Sequence, residues 1–228
     1  MDTSAKDEMI FSFAEWLRDQ GKSANTIKTY TGVLSQFCDQ TQKILTEIHS
    51  EDVQGYLDYL ENCKKSPGTI EKHYIALNVF FKFLGKPQVM LSVERKVKEH
   101  KFEIPETLSI NEQQILLRDI EAEGNLRNIA IVYLLLHTGI RVSELCDLNG
   151  RDVIMETERN YILVRNAKGE IDRSVPLTLS AIQHVKNYLY SLKEKADPLF
   201  ISSYNQRITP RSVQYILKKY NVHPHKLR

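Results

Sequence analysis

Apolar side chains recur at the spacing of a buried helix face throughout the first 85 residues of the chain. Helix-starting signals at Ser23, Ser50 and Ser66 separate the four stretches, and Gly85 stops the last one. Aromatic residues in these stripes follow the same spacing, which favours a packed interior over an exposed base-stacking surface. The sequence therefore predicts a helical domain of four helices over residues 1–86.

The pattern changes in the remainder of the chain. Residues 87–106 are charged, contain two prolines and show no sustained stripe, so they are predicted to be a linker. Helical stripes then return, and two strands are expected at 161–164 and 173–176 around the turn sequence NAKG. Further helices follow. The sequence predicts a mostly α protein with a small antiparallel β element, whose second domain covers 107–228.

Composition and targeting signals exclude several classes of protein. No apolar run approaches the length of a membrane span, and the N-terminus has no secretion-signal pattern. Cys38, Cys63 and Cys146 are scattered and match no metal-ligand spacing. We therefore expect a cytoplasmic protein with reduced thiols, no metal site and no membrane contact.

Basic residues are unevenly distributed, although the net charge is only +2. The segment 201–228 contains no acidic residue and six basic ones: Arg207, Arg211, Lys218, Lys219, Lys226 and Arg228. The predicted linker adds Lys96, Lys98 and Lys101. Such local surpluses predict phosphate-binding surfaces, and solvated protein faces are the alternative.

The most informative segment is HTGIRVSEL. An apolar helix ends at Gly139, and Arg141 stands where the chain enters another helix, with Glu144 three residues further on the same face. A guanidinium held by this carboxylate is suited to binding an anion. A surface ion pair of little energetic value is the alternative.

Two further elements carry groups suited to phosphate chemistry. Lys168 stands at the predicted hairpin tip, where an ammonium group can neutralise a phosphate or protonate a leaving oxygen, although Lys-Gly is also a common turn composition. His225 and Arg228 share a face if Pro224 begins a helix. A metal site at His223 and His225 is the weaker alternative, because no further ligand motif accompanies them.

The segments HTGIRVSEL, NAKGEIDRSVPL and PHKLR occur in this order, and together they closely resemble the tyrosine recombinases of the phage integrase family. They match its first conserved box, its hairpin with a catalytic lysine, and the start of its His-x-x-Arg box. The N-terminal helical half resembles the SAM-like core-binding domain of that family. The resemblance covers essentially the whole chain.

The resemblance implies a role for each matching residue. Arg141 and Arg228 would bind the non-bridging oxygens of the scissile phosphate, and His225 would assist by hydrogen bonding or proton transfer. Lys168 would be the general acid for the departing 5′ oxygen, and Glu144 would support the site. No metal or other cofactor is expected, because two guanidinium groups would neutralise the phosphate.

The resemblance also implies what should be missing. In the family, a box with a histidine or tryptophan and then the nucleophilic tyrosine follow His-x-x-Arg, whereas this sequence ends at Arg228. Tyr204, Tyr215 and Tyr220 precede that box, and helical spacing predicts the last two to be core residues. A truncated catalytic domain, inactive in cleavage alone, is therefore expected.

The implied function is site-specific DNA recombination or integration, for instance by a mobile element, through a 3′-phosphotyrosyl intermediate. In the family the two domains enclose duplex DNA, and self-association on DNA is expected of the full-length protein. One alternative is a truncated regulator that occupies a recombination site without cleaving it. Another is a helical scaffold for protein interactions, which would not bind duplex DNA in a salt-dependent manner.

Overall fold

A computed structural model of the chain describes residues 3–94, 106–156, 159–165, 172–192 and 197–227. The chain divides into two compact units, Met1–Phe102 and Glu103–Arg228. The division falls within the stretch that the sequence predicts to be a linker. Most of the described residues are helical and the strands form one small antiparallel sheet, which confirms the predicted fold class.

The first unit is a bundle of four α-helices with two short 3₁₀ helices. Its elements are α1 (Thr3–Asp19), α2 (Ala24–Thr41), 3₁₀ Leu45–Glu47, α3 (Ser50–Asn62), α4 (Pro67–Phe83) and 3₁₀ Pro87–Met90. Phe13, Phe37, Phe80 and Phe81 are fully buried in its core. The rings of Phe13 and Phe80 meet edge to face with centroids 5.2 Å apart. The aromatic residues of these stripes are thus core residues, as predicted.

Two of the three predicted helix starts are confirmed, and the third is shifted by one residue. The hydroxyls of Ser23 and Ser66 each accept a hydrogen bond at 3.2 Å from the backbone N–H three residues further on. Ser50, in contrast, is the first residue of α3, and His49 occupies the cap position. The reason is Asp52, whose Oδ2 accepts from the His49 backbone N–H at 3.0 Å and closes the first turn.

The first unit extends beyond residue 86, into the stretch predicted to be a linker. Val89, Met90 and Val93 are buried and belong to the same core as the helices. Gly85 adopts φ +69°, a left-handed conformation that reverses the chain after α4. The reversal brings this short apolar segment back onto the bundle. The sequence did not predict this packing, because the composition of residues 87–106 as a whole is charged.

The second unit combines helices with a three-stranded sheet. Its elements are α5 (Ile110–Ala122), α6 (Leu126–Thr138), α7 (Val142–Asp147), 3₁₀ Gly150–Asp152, β1 (Val153–Met155), β2 (Asn160–Val164), β3 (Arg173–Pro176), α8 (Leu179–Ser191), α9 (Pro210–Lys218) and 3₁₀ Pro224–Leu227. Helix α6 is central, since all its residues from 129 to 135 are buried. It packs against α5, α7 and α8.

The sheet has the order β1-β2-β3, and both pairings are antiparallel. Val153 pairs with Ile162, and Val164 pairs with Arg173 at the end of the hairpin stem. Strands β2 and β3 were predicted from the sequence. Strand β1 was not, because three residues are too few to show an alternating pattern.

Two kinds of feature are absent from the described ranges. None of their helices combines the length and the apolar character needed to cross a bilayer. Nor do three or more His, Cys, Asp or Glu side chains in these ranges come together as a metal ion would require.

Candidate functional site

Arg141 lies where the chain leaves α6 and enters α7. Gly139 ends α6 in a left-handed conformation (φ +63°), and its N–H donates to the Leu135 carbonyl at 3.1 Å. Ile140 is buried and anchors the turn. Arg141 then takes the N-cap position of α7, and 62% of its side chain is exposed. The local sequence thus presents a cationic group at the surface on a rigid turn.

Glu144 holds Arg141 in place through two contacts. Its Oε2 accepts from the Arg141 backbone N–H at 2.7 Å, and its Oε1 accepts from Arg141 Nη1 at 3.0 Å. Only 10% of the Glu144 side chain is exposed. The pair therefore differs from the surface ion pair that the sequence left as an alternative, because one partner is almost entirely desolvated.

A second arginine completes this group, and sequence reasoning missed it. Arg173, the first residue of β3, donates from Nη1 to Glu144 Oε1 at 3.0 Å and from Nη2 to Oε2 at 2.8 Å. This parallel geometry is the strong form of an arginine–carboxylate pair. The available signal was an arginine at the start of the returning strand, but spacing cannot pair residues 29 positions apart.

The charges of the three side chains follow from this geometry. Burial raises the pKa of Glu144, but the hydrogen bonds from Arg173 and Arg141 outweigh it and lower the pKa to about 2. Glu144 in turn raises the pKa of Arg173. At neutral pH the group therefore contains two cations and one anion, and its exposed member, Arg141, is positive. Such a group attracts an anion.

Part of the predicted site lies outside the described residues. This applies to Lys168 and Arg228 of the predicted catalytic set. It applies equally to the predicted DNA contacts Lys96, Lys98 and Lys101. Their roles remain predictions.

His225 lies on a short 3₁₀ helix that begins at Pro224 and ends at Leu227. The ring of His225 is exposed between buried Pro224 and Leu227, and its centroid lies 5.0 Å from that of His223. The Lys226 carbonyl accepts from the Leu108 N–H at 3.1 Å and fastens the turn to the start of the unit. The imidazole of His225 is therefore held at the surface.

The basic segment before His225 divides into exposed residues and residues used within the fold. Arg207 Nη1 donates to the carbonyls of Cys146 (3.0 Å) and Leu148 (3.1 Å), and Nη2 donates to Asn149 Oδ1 (2.7 Å). Its guanidinium thus caps the C-terminal end of α7. The sequence predicts Arg207 to be a DNA contact, and the structure instead gives its guanidinium three partners inside the unit.

Helix α9 presents the remaining basic residues. Arg211 and Lys218 are exposed, whereas the ammonium of Lys219 lies 2.6 Å from a Glu123 carboxylate oxygen. Tyr215 is 80% exposed between Arg211 and Lys218, so the prediction that it is a core residue is wrong. The buried stripe of α9 consists of Val213 and Leu217, and Tyr215 falls on the opposite side.

Comparisons with known proteins agree with this fold. Residues 106–228 match the phage integrase family, and residues 10–89 match the phage integrase N-terminal SAM-like domain. The tyrosine recombinase XerA of Pyrococcus horikoshii is 33% identical over 235 residues, covering 97% of this chain and 77% of the relative. XerA of Pyrococcus furiosus is 31% identical over 242 residues, covering 100% and 79%.

Solved structures share the fold at lower identity. A lambda integrase dimer bound to a COC′ core site matches with a TM-score of 0.73 at 14% identity, over 97% of this chain and 86% of that one. The Tn1549 transposon integrase in complex with circular intermediate DNA matches with a TM-score of 0.70 at 19% identity, over 96% and 83%. With both family matches and relatives above 30% identity, the chain belongs to the phage integrase family of tyrosine recombinases.

Proposed function

We propose that this chain binds duplex DNA and acts in site-specific recombination, with Arg141 at the scissile phosphate. The observation that carries the proposal is the exposed Arg141 guanidinium, fixed by the nearly buried Glu144, which Arg173 holds in turn. Phosphoryl transfer develops charge on the phosphate oxygens, and a preorganised donor lowers that barrier more than a mobile one. A guanidinium also matches two phosphate oxygens geometrically.

The other catalytic roles follow from the resemblance. Arg228 is the second guanidinium for the phosphate, and Lys168 is the general acid for the 5′ oxygen. His225 assists by a hydrogen bond or a proton transfer, for which its exposed position on a fastened turn is suitable.

Phosphate contacts supply most of the proposed affinity for DNA. Arg211 and Lys218 on the exposed side of α9 are the described residues assigned to it, and Lys96, Lys98 and Lys101 are assigned from the sequence. The Tn1549 integrase structure is a complex with circular intermediate DNA and the lambda integrase dimer is bound to a core site, which supports this assignment. Lys219 and Arg207 contribute less, because their charged groups already have partners within the fold.

A salt titration of duplex binding tests the proposal. If about six phosphates are neutralised, the logarithm of the binding constant should fall against the logarithm of salt concentration with a slope on the order of −5. Lys218→Ala should reduce that slope by about one, and the matched Lys219→Ala should reduce it less. An affinity that does not change with salt would contradict the proposal and favour the protein-interaction scaffold.

We also propose that none of the tyrosines before the His225 turn is the nucleophile for strand cleavage. Tyr204 and Tyr215 are exposed on elements before the His225 turn, and Tyr220 is half-buried near Glu123. None occupies the place of the nucleophile in the family's order. Incubation with a cognate duplex followed by denaturing electrophoresis should show no covalent complex. A linked band lost on mutation of one of these tyrosines would overturn this part of the proposal.

A chain that binds the recombination site without cleaving it would act as a regulator of that site. The cleavage assay distinguishes such a regulator from a recombinase. Self-association on DNA is also proposed. The lambda integrase structures, a dimer on a core site and a tetramer on a Holliday junction, support it. Light scattering of the chain with and without duplex should show that the mass per complex rises only when DNA carries two half-sites.

A further inference from the structure

An apolar groove lies between α3 and α4 of the first unit, apart from every residue assigned a role so far, and we call it the α3–α4 groove. It encloses a cavity of about 230 Å³, and its apolar lining consists of Leu57 on α3 and Pro67, Ile70 and Tyr74 on α4. Leu57 is buried, whereas Ile70 and Tyr74 pack against the core of the unit and remain partly exposed. Apolar surface therefore continues from this core to the outside of the unit along the groove.

The α3–α4 groove has the length of about two helical turns. Its lining residues on α3 run from Gln54 to Glu61 and those on α4 run from Pro67 to Tyr74, at spacings of three and four positions. One face of each helix therefore borders the groove, over about 10 Å. Cavities that enclose a small molecule are commonly larger, about 300–1,000 Å³. A groove of this size and length instead accommodates the apolar side chains on one face of a partner helix.

Hydrogen bonds hold one end of the groove in place. The Glu94 N–H donates to Gln54 Oε1 at 2.8 Å, and Gln54 Nε2 donates to Asp58 Oδ1 at 3.0 Å. Val93, next to Glu94, is buried in the core of the unit. The chain that follows the second 3₁₀ helix is thus fastened to α3. The groove is therefore formed before any partner arrives, which lowers the entropic cost of binding.

The charged part of the lining is mainly acidic. Four of the lining residues carry a carboxylate and one carries an ammonium group, although the chain as a whole has a net charge of +2. The acidic residues are Asp58, Glu61, Glu71 and Glu94, and the basic one is Lys65. Such a surface repels the phosphates of DNA and attracts a cationic partner. The occupant that complements the groove therefore combines an apolar face with positive charge.

We propose that the α3–α4 groove binds a basic amphipathic helix of a partner protein. Apolar side chains of that helix lie between α3 and α4, and its lysine or arginine side chains face the carboxylates. A second copy of this chain is a poorer match, because the exposed basic side of α9 is assigned to DNA. The groove repels phosphates, so the partner binds the first unit without competing for duplex DNA.

A designed peptide tests the proposal on the full chain. The probe is a fluorescently labelled helical peptide of about 15 residues, with leucine on one face and lysine on the other. It should bind in one-to-one stoichiometry, measured by fluorescence anisotropy. The double variant Glu61→Lys, Glu71→Lys should weaken binding by about 10-fold, because two attractions become repulsions. The matched control Asp7→Lys, Glu8→Lys makes the same charge change on exposed positions of α1 and should bind as the parent does.

Two altered peptides separate specific docking from general charge attraction. A peptide with glutamate in place of lysine should bind the double variant Glu61→Lys, Glu71→Lys and not the parent. This exchange of charges also shows that the double variant is folded, since an unfolded chain offers no groove. A peptide with serine in place of leucine should bind neither protein, because it has no apolar side chains to bury.

Three results would overturn the proposal. The first is binding of the serine peptide as tight as that of the leucine peptide, or equal losses in the two double variants, because either means attraction by charge alone. The second is self-association of the chain in the absence of DNA that Glu61→Lys, Glu71→Lys abolishes while the peptide does not bind, because the occupant is then a second copy. The third is displacement of the leucine peptide by duplex DNA. None of these results alters the salt dependence by which the proposed function is judged.

Discussion

Arg173 and Glu144 face each other with two parallel hydrogen bonds of 3.0 and 2.8 Å between guanidinium and carboxylate. The same carboxylate accepts the backbone N–H of Arg141 at 2.7 Å. One nearly buried side chain therefore connects strand β3 to the first turn of α7. It follows that the position of Arg141 depends on strand β3 as well as on its own helix.

Arg173→Ala should destabilise the second unit although the residue lies at the surface end of a strand. Removal of this partner leaves the Glu144 carboxylate desolvated and under-satisfied, which should cost about 1–3 kcal/mol of unfolding free energy. Arg118→Ala is the matched control, since Arg118 and Asp119 form an exposed pair worth about 0.5 kcal/mol or less. Urea unfolding of both variants measures the difference, and equal losses would contradict the prediction.

Acid should destabilise the second unit through Glu144. The folded pKa of about 2 is below the ordinary value of 4.5, so the stabilisation is fully present above 4.5 and is lost as pH falls towards 2. The contribution is roughly 2–3 kcal/mol. Glu144→Gln should have a lower unfolding free energy than the parent at pH 7, and this difference should narrow between pH 4.5 and 2. Unfolding curves of both proteins across this range test the prediction, and a difference that does not change with pH would rule it out.

Arg207 and Arg211 should respond oppositely to the same substitution. Arg207→Gln removes donors from three acceptors at the end of α7 and should lower the melting temperature by several degrees. Arg211→Gln should leave the melting temperature unchanged and weaken DNA binding, reducing the salt slope by about one. Thermal melts and salt titrations of the two variants decide between these roles.

Arg141→Ala should slow cleavage strongly in a chain extended by the nucleophilic segment of the family, while the folded state persists. Its side chain is 62% exposed and contributes little packing, but loss of a donor to the charged phosphate should cost about 10²–10³ in rate. Arg141→Lys should recover only part of the cleavage rate, because an ammonium group cannot bind two phosphate oxygens in a fixed plane. Cleavage rates and circular dichroism are the measurements. A variant that cleaves normally would remove Arg141 from the site.

The first unit should lose stability in mild acid because of His73. This side chain is 5% exposed, and its Nδ1 lies 2.9 Å from the Tyr56 hydroxyl. Burial lowers the pKa of His73, and Lys72 and Lys65 lower it further. The stabilisation is therefore present above the unfolded pKa of about 6.5 and is lost as pH falls through the lower folded pKa. His73→Gln should give a flatter pH profile of melting temperature, and an unchanged profile would contradict this prediction.

Signals within a few residues of each other determined much of this protein. Helical stripes and caps at Ser23 and Ser66 predict most of the first unit, since a helix is built from contacts three and four positions apart. The placement of Arg141 after Gly139, with Glu144 one turn on, is local in the same sense. These elements could therefore be predicted from the sequence and were confirmed.

Only the tertiary structure decided which distant residues meet. Arg173 and Glu144 are 29 positions apart, and Arg207 and Asn149 are 58 positions apart. No spacing rule connects such residues, because their contact depends on how the hairpin and α9 fold back against α7. The exposure of Tyr215 has the same origin, since packing chooses which side of a short helix faces the core. Hydrophobic periodicity indicates that a helix has an apolar side, whereas the surrounding elements determine what each remaining side chain contacts.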